Sequence, residues 1–283
     1  MHYTAPAELV DSFSVFVSPE LEDEKIDLIR GALVIARTEY PRLEIEEYAA
    51  RVEQMARQAA ALAPSLDRPG MLAALNQVLF ERANLRGNRE NYYDPRNSFL
   101  NDVLDRGLGI PITLSIIYME VARRVGFHLS GVGMPGHFLL KHYAEDGQET
   151  LIDCFNRGDI VSRQDCQTRL DEIYSGEMTL RPEFLHPIGR RQILTRMLNN
   201  LKTVYLSTRN FRKALTIADL ILVIYPRSPE DVKQRALLRY SMGKHRLASE
   251  DLEEYLKISP DASDAEDVKQ MSLSIRRMLA LMN

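Results

Sequence analysis

The fold is decided by Asn97-Ser-Phe-Leu-Asn-Asp-Val-Leu-Asp-Arg-Gly-Leu-Gly-Ile-Pro-Ile-Thr-Leu-Ser115, followed by Pro135-Gly-His-Phe138 and Leu151-Ile-Asp-Cys-Phe-Asn156. Proline is favoured at the first helical position, so Pro111 opens a helix; Arg123 and Arg124 occupy its last turn and Gly126 stops it. Between those ends Ile112, Leu114, Ile116, Ile117, Tyr118, Val121, Ala122 and Val125 leave little to face water. That pattern predicts a central helix packed on several sides. After it, residues 127–134, 137–143 and 149–155 read as strands, and the last two are joined by the glycine-containing loop 144–148 into an antiparallel hairpin. With Tyr143 opposite Glu149, His137 lies diagonal to Asp153; the other register puts the two directly opposite. In both they share a face. An imidazole beside a carboxylate is how a base is held in one tautomer, so His137 and Asp153 are two members of a possible triad.

Upstream of this centre, apolar residues recur at helical spacing over 21–39, 45–62 and 71–81, with a break at Pro64 to Gly70. Residues 84–97 form a polar loop that runs straight into the central motif. A loop there lines any cleft at the helix start, which makes Tyr92, Tyr93, Asp94, Arg96 and Asn97 candidate cleft residues. The structural alternative is that they brace the next helix, with Asn97 and Ser98 as N-caps for a helix over 99–104. Downstream, Arg181-Pro182 and His186-Pro187 mark a boundary, giving domains at 1–183 and 184–283. Beyond it the chain reads as helix only. Residues 195–228 and 229–262 overlay at an offset of about 34 residues, the tetratricopeptide period, with Ala214 on Ala248 and Pro226 on Pro260. A last helix over 265–281 would cap the second repeat, and the first repeat helix, 193–206, is expected to pack on the core.

Composition bounds what this chain can be. Its 283 residues, 45% hydrophobic, suffice for one large domain or two ordinary ones. With 36 basic and 40 acidic residues, a net charge of −4 and no basic block, sequence-independent nucleic-acid binding is disfavoured. Residues 1–17 lack the basic start of a secretion signal, no run is long enough to span a membrane, and two cysteines fit a reducing compartment. The expected location is the cytoplasm. No cofactor is implied: the glycines at 131, 133 and 136 lack the helix and lysine of a phosphate loop. No metal is implied either, because His142 alternates onto the face opposite His137 and no HExxH or CxxC is present. Cys154 follows Asp153 and points to the other face, which reads as a structural thiol, and Ser115 lies one turn beyond Pro111, where its hydroxyl can bond back into the helix.

The order of helix, strand with His and strand with Asp resembles the core of the transglutaminase and cysteine-protease-like superfamily. More narrowly, Tyr92-Tyr-Asp-Pro-Arg-Asn-Ser98, Gly109-Ile-Pro-Ile-Thr-Leu-Ser115, Gly133-Met-Pro-Gly-His-Phe138 and Arg196-Met-Leu-Asn-Asn-Leu-Lys202 together resemble the bacterial SirB family. That resemblance implies an α+β fold: a transglutaminase- or papain-like core, with a buried helix against a small antiparallel sheet and a helical N-terminal part, then an all-α tetratricopeptide-like domain. His137 and Asp153 match the base and its orienter. The nucleophilic Cys of the superfamily falls on Pro111, which has no thiol.

Two functions are expected. The first is a non-catalytic protein that binds a protein or peptide through its repeats, with a remnant cleft at Pro111, Ser115, Asn97 and Tyr93 and remnant catalytic groups His137 and Asp153. The second is a hydrolase or acyl-transfer enzyme in which His137 and Asp153 activate water or a hydroxyl. The missing thiol favours the first.

Overall fold

The computed structural model describes residues 7–63, 67–144 and 147–281. Residues 1–6 of the N-terminal stretch, the Pro64-Ser65-Leu66 part of the break and the middle of the 144–148 loop lie outside them. In chain order the elements are helices α1 (Ala7–Val17), α2 (Leu28–Ala36), α3 (Ile45–Leu62) and α4 (Arg68–Asn76), strand β1 (Arg86–Gly87), helix α5 (Leu100–Arg106), strand β2 (Leu108–Gly109) and helix α6 (Pro111–Arg124). Then come strands β3 (Ser130–Val132), β4 (Leu139–Tyr143), β5 (Glu149–Asp153) and β6 (Asp159–Val161), helix α7 (Arg163–Tyr174) and strand β7 (Pro187–Ile188). Helices α8 (Arg190–Ser207), α9 (Phe211–Ile224), α10 (Pro229–Ser241), α11 (His245–Ile258) and α12 (Ala265–Leu281) complete the chain. They form two compact units, one of Asp23–Met197 and one of Met1–Glu22 with Leu198–Asn283. The change of unit therefore falls inside α8, and α1 belongs with the later helices.

In the first unit α6 is the centre. Every residue from Pro111 to Ala122 is buried. The helix packs on α2, α3 and α5 and on strands β3 and β4. Its start is fixed by Thr113, whose Oγ1 accepts from the Ile110 backbone N–H at 3.1 Å and donates to the Asn97 carbonyl at 2.8 Å. One charged residue sits among the buried ones. Glu120 is fully buried and meets Arg123 at 3.0 Å, Arg124 at 2.7 Å and Arg190 at 2.8 Å, which ties the end of α6 to the start of α8.

The sheet is antiparallel throughout, in the order β6-β5-β4-β3-β7, with a short parallel pair β1-β2 apart from it. In the hairpin Tyr143 stands opposite Glu149 and Leu140 opposite Ile152, the first of the two registers considered. The strand expected to begin at His137 begins at Leu139. Gly136 turns the chain at φ +69°, a region open to glycine, and the His137 N–H closes on the Met134 carbonyl at 3.1 Å. His137 thus sits in a turn before the strand. Likewise β5 stops at Asp153 rather than 155, because its carboxylate takes up the Phe155 and Asn156 N–H groups and starts a 3-10 turn at Cys154–Asn156. Strands β6 and β7 are three and two residues long, too short to show a period in sequence.

The helical unit carries the repeat. Helices α9 and α11 begin and end 34 residues apart, at Phe211–Ile224 and His245–Ile258. Ala214 and Ala248, the overlaid small residues, are both fully buried and let neighbouring helices approach closely. Val268 and Ile275 of α12 join Ala236, Ala248 and Leu252 in one cluster, so α12 covers the second pair. At the other end α1 packs against α9, burying Leu9, Phe13 and Val17.

Candidate functional site

Asp153 ends β5 and gathers four donors. Its Oδ2 lies 2.9 Å from His137 Nε2 and accepts from Asn156 Nδ2 at 2.7 Å; Oδ1 accepts from the backbone of Phe155 at 2.9 Å and of Asn156 at 3.3 Å. Burial raises the Asp153 carboxyl, but the His137 hydrogen bond and charge and the Asn156 contacts outweigh it and hold the group below the ordinary value of 3.8. The imidazole is equally enclosed, with the Phe155 ring meeting it edge-on at 6.3 Å between centroids. Nε2 is therefore committed to the carboxylate, which leaves Nδ1 as the ring nitrogen able to serve a ligand.

The turn that carries His137 is held from α8. Arg196 donates from Nη1 to the Gly133 carbonyl at 3.0 Å and from Nη2 to the carbonyls of Met134 and, at 2.7 Å, His137. No carboxylate partners it among the described residues. Burial lowers its guanidinium below the ordinary value, and its plane lies by the Phe138 ring. The sequence places Arg196 in a motif without giving it this role, because the contact spans 59 positions.

The remaining candidates are more dispersed. Pro111 and Ser115 are buried in α6, and among the described residues the Ser115 hydroxyl makes no hydrogen bond back into the helix. It lies near the Cys154 thiol and offsets only part of the upward push that burial gives that group. Asn97 is buried as a brace: its Nδ2 donates to the carbonyls of Asn91 at 2.7 Å and Tyr92 at 3.1 Å, and its Oδ1 accepts from Asn88 at 3.0 Å. It is not the N-cap expected of it. Helix α5 starts after Phe99, with no side-chain cap, since Asn97 is already used by its own loop. Tyr93 is 72% exposed, whereas Tyr92 meets Phe155 edge-on at 6.0 Å. Tyr92, and not Tyr93, flanks the His137 surroundings.

Three cavities are relevant. A cleft of about 430 Å³ is lined by His137, Asp153 and Asn156 together with Cys166, Arg169 and Glu172. Neither Pro111, Ser115, Asn97 nor Tyr93 lines it. Cys166 is 2% exposed and burial pushes its thiol up, so it is not an activated thiolate. A second pocket, of about 620 Å³, shares Asn156 and Asp159 with the first and is lined by Phe80, Arg86, Arg89, Phe155 and Arg157. The helical unit holds a groove of about 550 Å³ lined by Lys202, Leu206, Phe211, Gln234 and Leu237. Lys202 Nζ lies in it 2.6 Å from Gln234 Oε1 and 3.4 Å from Asp231. Among the described residues no group of three or more His, Cys, Asp or Glu side chains is placed to hold a metal, and no helix is long and apolar enough to cross a membrane.

With this geometry in place, residues 45–199 match the family profile of the transglutaminase-like superfamily. The chain belongs to that superfamily. Its transglutaminase-like part is followed by a tetratricopeptide repeat match over residues 201–272, in agreement with the α+β core and the helical region after it. A "UPF0162 protein" of Xylella fastidiosa (strain 9a5c) is 36% identical over 253 residues, which covers 88% of this chain and 90% of that one. One of Vibrio cholerae serotype O1 is 27% identical over 247 residues, covering 87% and 91%. "F-box only protein 21" of Mus musculus is 28% identical over 183 residues, 61% of this chain and 28% of its own length. No solved structure matches.

Proposed function

We propose that this transglutaminase-like protein is a bacterial, cytoplasmic member of the SirB family that is not a catalyst, and that it binds a protein or peptide. The observation that carries this reading is the state of the thiols. The position at which the superfamily's nucleophile is expected holds Pro111, and both cysteines, Cys154 and Cys166, are buried with thiols pushed up rather than down. Cysteine nucleophiles work as thiolates, and neither group is poised as one. His137 and Asp153 are then the remnant of the catalytic constellation, and their cleft holds part of a ligand. As sequence modules the proposed division is a core over 1–183 and repeats over 184–283, although in packing α1 and the first part of α8 cross that line, and the partner is seated in the groove at Leu237.

The test is capture of partners from native lysate with wild type, His137→Ala and Leu237→Glu. Leu237 is 42% exposed in the groove, so the change leaves the core of the fold alone. Partners that persist with His137→Ala and vanish with Leu237→Glu support the binding module. One observation favours a second reading, the intact 2.9 Å His137–Asp153 contact in an open cleft, which suits activation of water or a hydroxyl for hydrolysis or acyl transfer. In that case folded His137→Ala protein accumulates proteins that wild type releases.

A further inference from the structure

The pocket beside the His137 cleft is rich in arginines that neither the groove at Leu237 nor the His137–Asp153 pair employs. Arg86, Arg89 and Arg157 line it, and none of the three guanidiniums pairs with a carboxylate among the described residues. Arg89 lies over the Phe155 ring at 5.3 Å and donates to Asn156 Oδ1; Arg157 donates to the Phe80 carbonyl at 3.1 Å. Arg157 keeps that position from a left-handed backbone, φ +60°, that residues other than glycine adopt rarely. Gly87 leaves the space for the Phe155 ring, since an added Cβ would stand 2.5 Å from it. Phe80 and Phe155 give the pocket an apolar wall, and Glu81 and Asp159 stand on its lining.

We propose that Arg86, Arg89 and Arg157 form an oxyanion subsite that receives the carboxylate or phosphate of an acidic or phosphorylated residue, on a peptide that runs on into the His137 cleft. This rests on the reading that the cleft holds a peptide. Arginine forks match oxyanions in two parallel hydrogen bonds; Arg89 and Arg157 each spend an Nη2 contact on the protein, and their remaining N–H donors face no acid of their own among the described residues. Glu81 and Asp159 supply acceptors for the N–H groups of an extended chain. The two cavities share Asn156 and Asp159, so one ligand can occupy both. The subsite is also wired to His137. Arg89 donates to Asn156, Asn156 donates to Asp153 at 2.7 Å, and Asp153 lies 2.9 Å from His137. An oxyanion that draws Arg89 away frees the Asn156 amide and alters the environment of the imidazole.

The experiment is an NMR titration of the full chain with inorganic phosphate, with acetyl-glutamate N-methylamide and its glutamine counterpart, and with capped Ala-Ala-Glu-Ala-Ala and its phosphoserine equivalent. Expected are saturable shifts of the arginine Nε–H and Asn156 amide signals with phosphate and the glutamate probe, and none with the glutamine probe. Each of Arg86→Gln and Arg157→Gln weakens binding about tenfold or more, the loss of one charged hydrogen bond. Both residues are exposed, so the variants keep the wild-type amide spectrum. The stronger of the glutamate and phosphoserine peptides identifies which oxyanion the site takes, and its binding moves the His137 ring signals. Absence of saturation with either charged probe, equal binding of the glutamine probe, or affinities unchanged in both variants overturns the subsite. If the small probes saturate the arginines while no peptide moves His137, the subsite stands and the peptide reading of the cleft falls.

Discussion

Asp153 is the residue on which the site depends, because one buried carboxylate answers a side-chain imidazole, a side-chain amide and two backbone N–H groups. Asp153→Asn keeps the shape and removes the charge, leaving donors facing a donor. We expect it to lower stability by about 2–3 kcal/mol in urea unfolding at pH 7. A loss of under roughly 0.5 kcal/mol, the range of an ordinary surface change, would mean the carboxylate is not what holds the turn. Arg196 is the counterpart on the other side of His137. Arg196→Leu takes a donor from three carbonyls, of which Met134's keeps the His137 N–H, and should cost about 2 kcal/mol, with Arg196→Lys intermediate because an ammonium cannot reach all three in one plane. The His137 ring signals in NMR should move in both, and unmoved signals would mean that Arg196 does not set the position of the ring. Alternation along a hairpin predicts a shared face for His137 and Asp153, but His137 stands in the turn before β4 and reaches Asp153 from there, at 2.9 Å. Asn156 and Arg196 were not legible in sequence, since a turn that bends back on its own carboxylate and a guanidinium reaching from a distant helix leave no periodic trace.

At the scale of the element, α6 was readable from Pro111 and its apolar run, and that same run concealed Glu120. A carboxyl in such surroundings is raised by burial, but the hydrogen bond of Arg123, the charge of Arg190 and the Arg124 contact bring it below the ordinary value of 4.5. A carboxylate held low in the fold stabilises it fully above the unfolded value, and that contribution is lost as pH falls through the folded value. Stability should therefore be flat near neutrality and decline below about pH 4.5 as Glu120 and Asp153 take up protons. Glu120→Gln should cost about 3 kcal/mol at pH 7, since the half-buried Arg124 and Arg190 lose a fully buried carboxylate partner, and the acid decline should become shallower. Urea midpoints across pH for both proteins measure this; parallel acid limbs would show that Glu120 is not titrating with folding. Helix α5 carries the opposite lesson. Asn97 has the chemistry of an N-cap, yet its amide is spent on the loop carbonyls of Asn91 and Tyr92, and local propensity yields to that network.

The whole molecule is less sequential than its sequence suggests. Proline-rich residues near 181–188 look like a boundary, but compactness changes later, within α8, and returns to the first helix of the chain. In sequence, residues 1–17 bear only on the question of a secretion signal; the fold makes 7–17 a helix, with Leu9, Phe13 and Val17 buried and the helix lying on α9. Two repeat pairs are few for a free solenoid, which leaves an end that must be covered. Helix α12 covers the second pair, and α1 supplies a cover for α9 from the other end of the sequence. Phe13 is fully buried, so Phe13→Ala should cost about 3–4 kcal/mol by loss of transfer energy and the cavity it leaves. Hydrogen exchange locates the loss: amides of Phe211–Ile224 should exchange faster, while those of α6 in the other unit keep their protection. Unchanged protection across α9 would mean that α1 adds surface without stabilising the repeats, and the tetratricopeptide region would then have to hold its first helix pair without a cap.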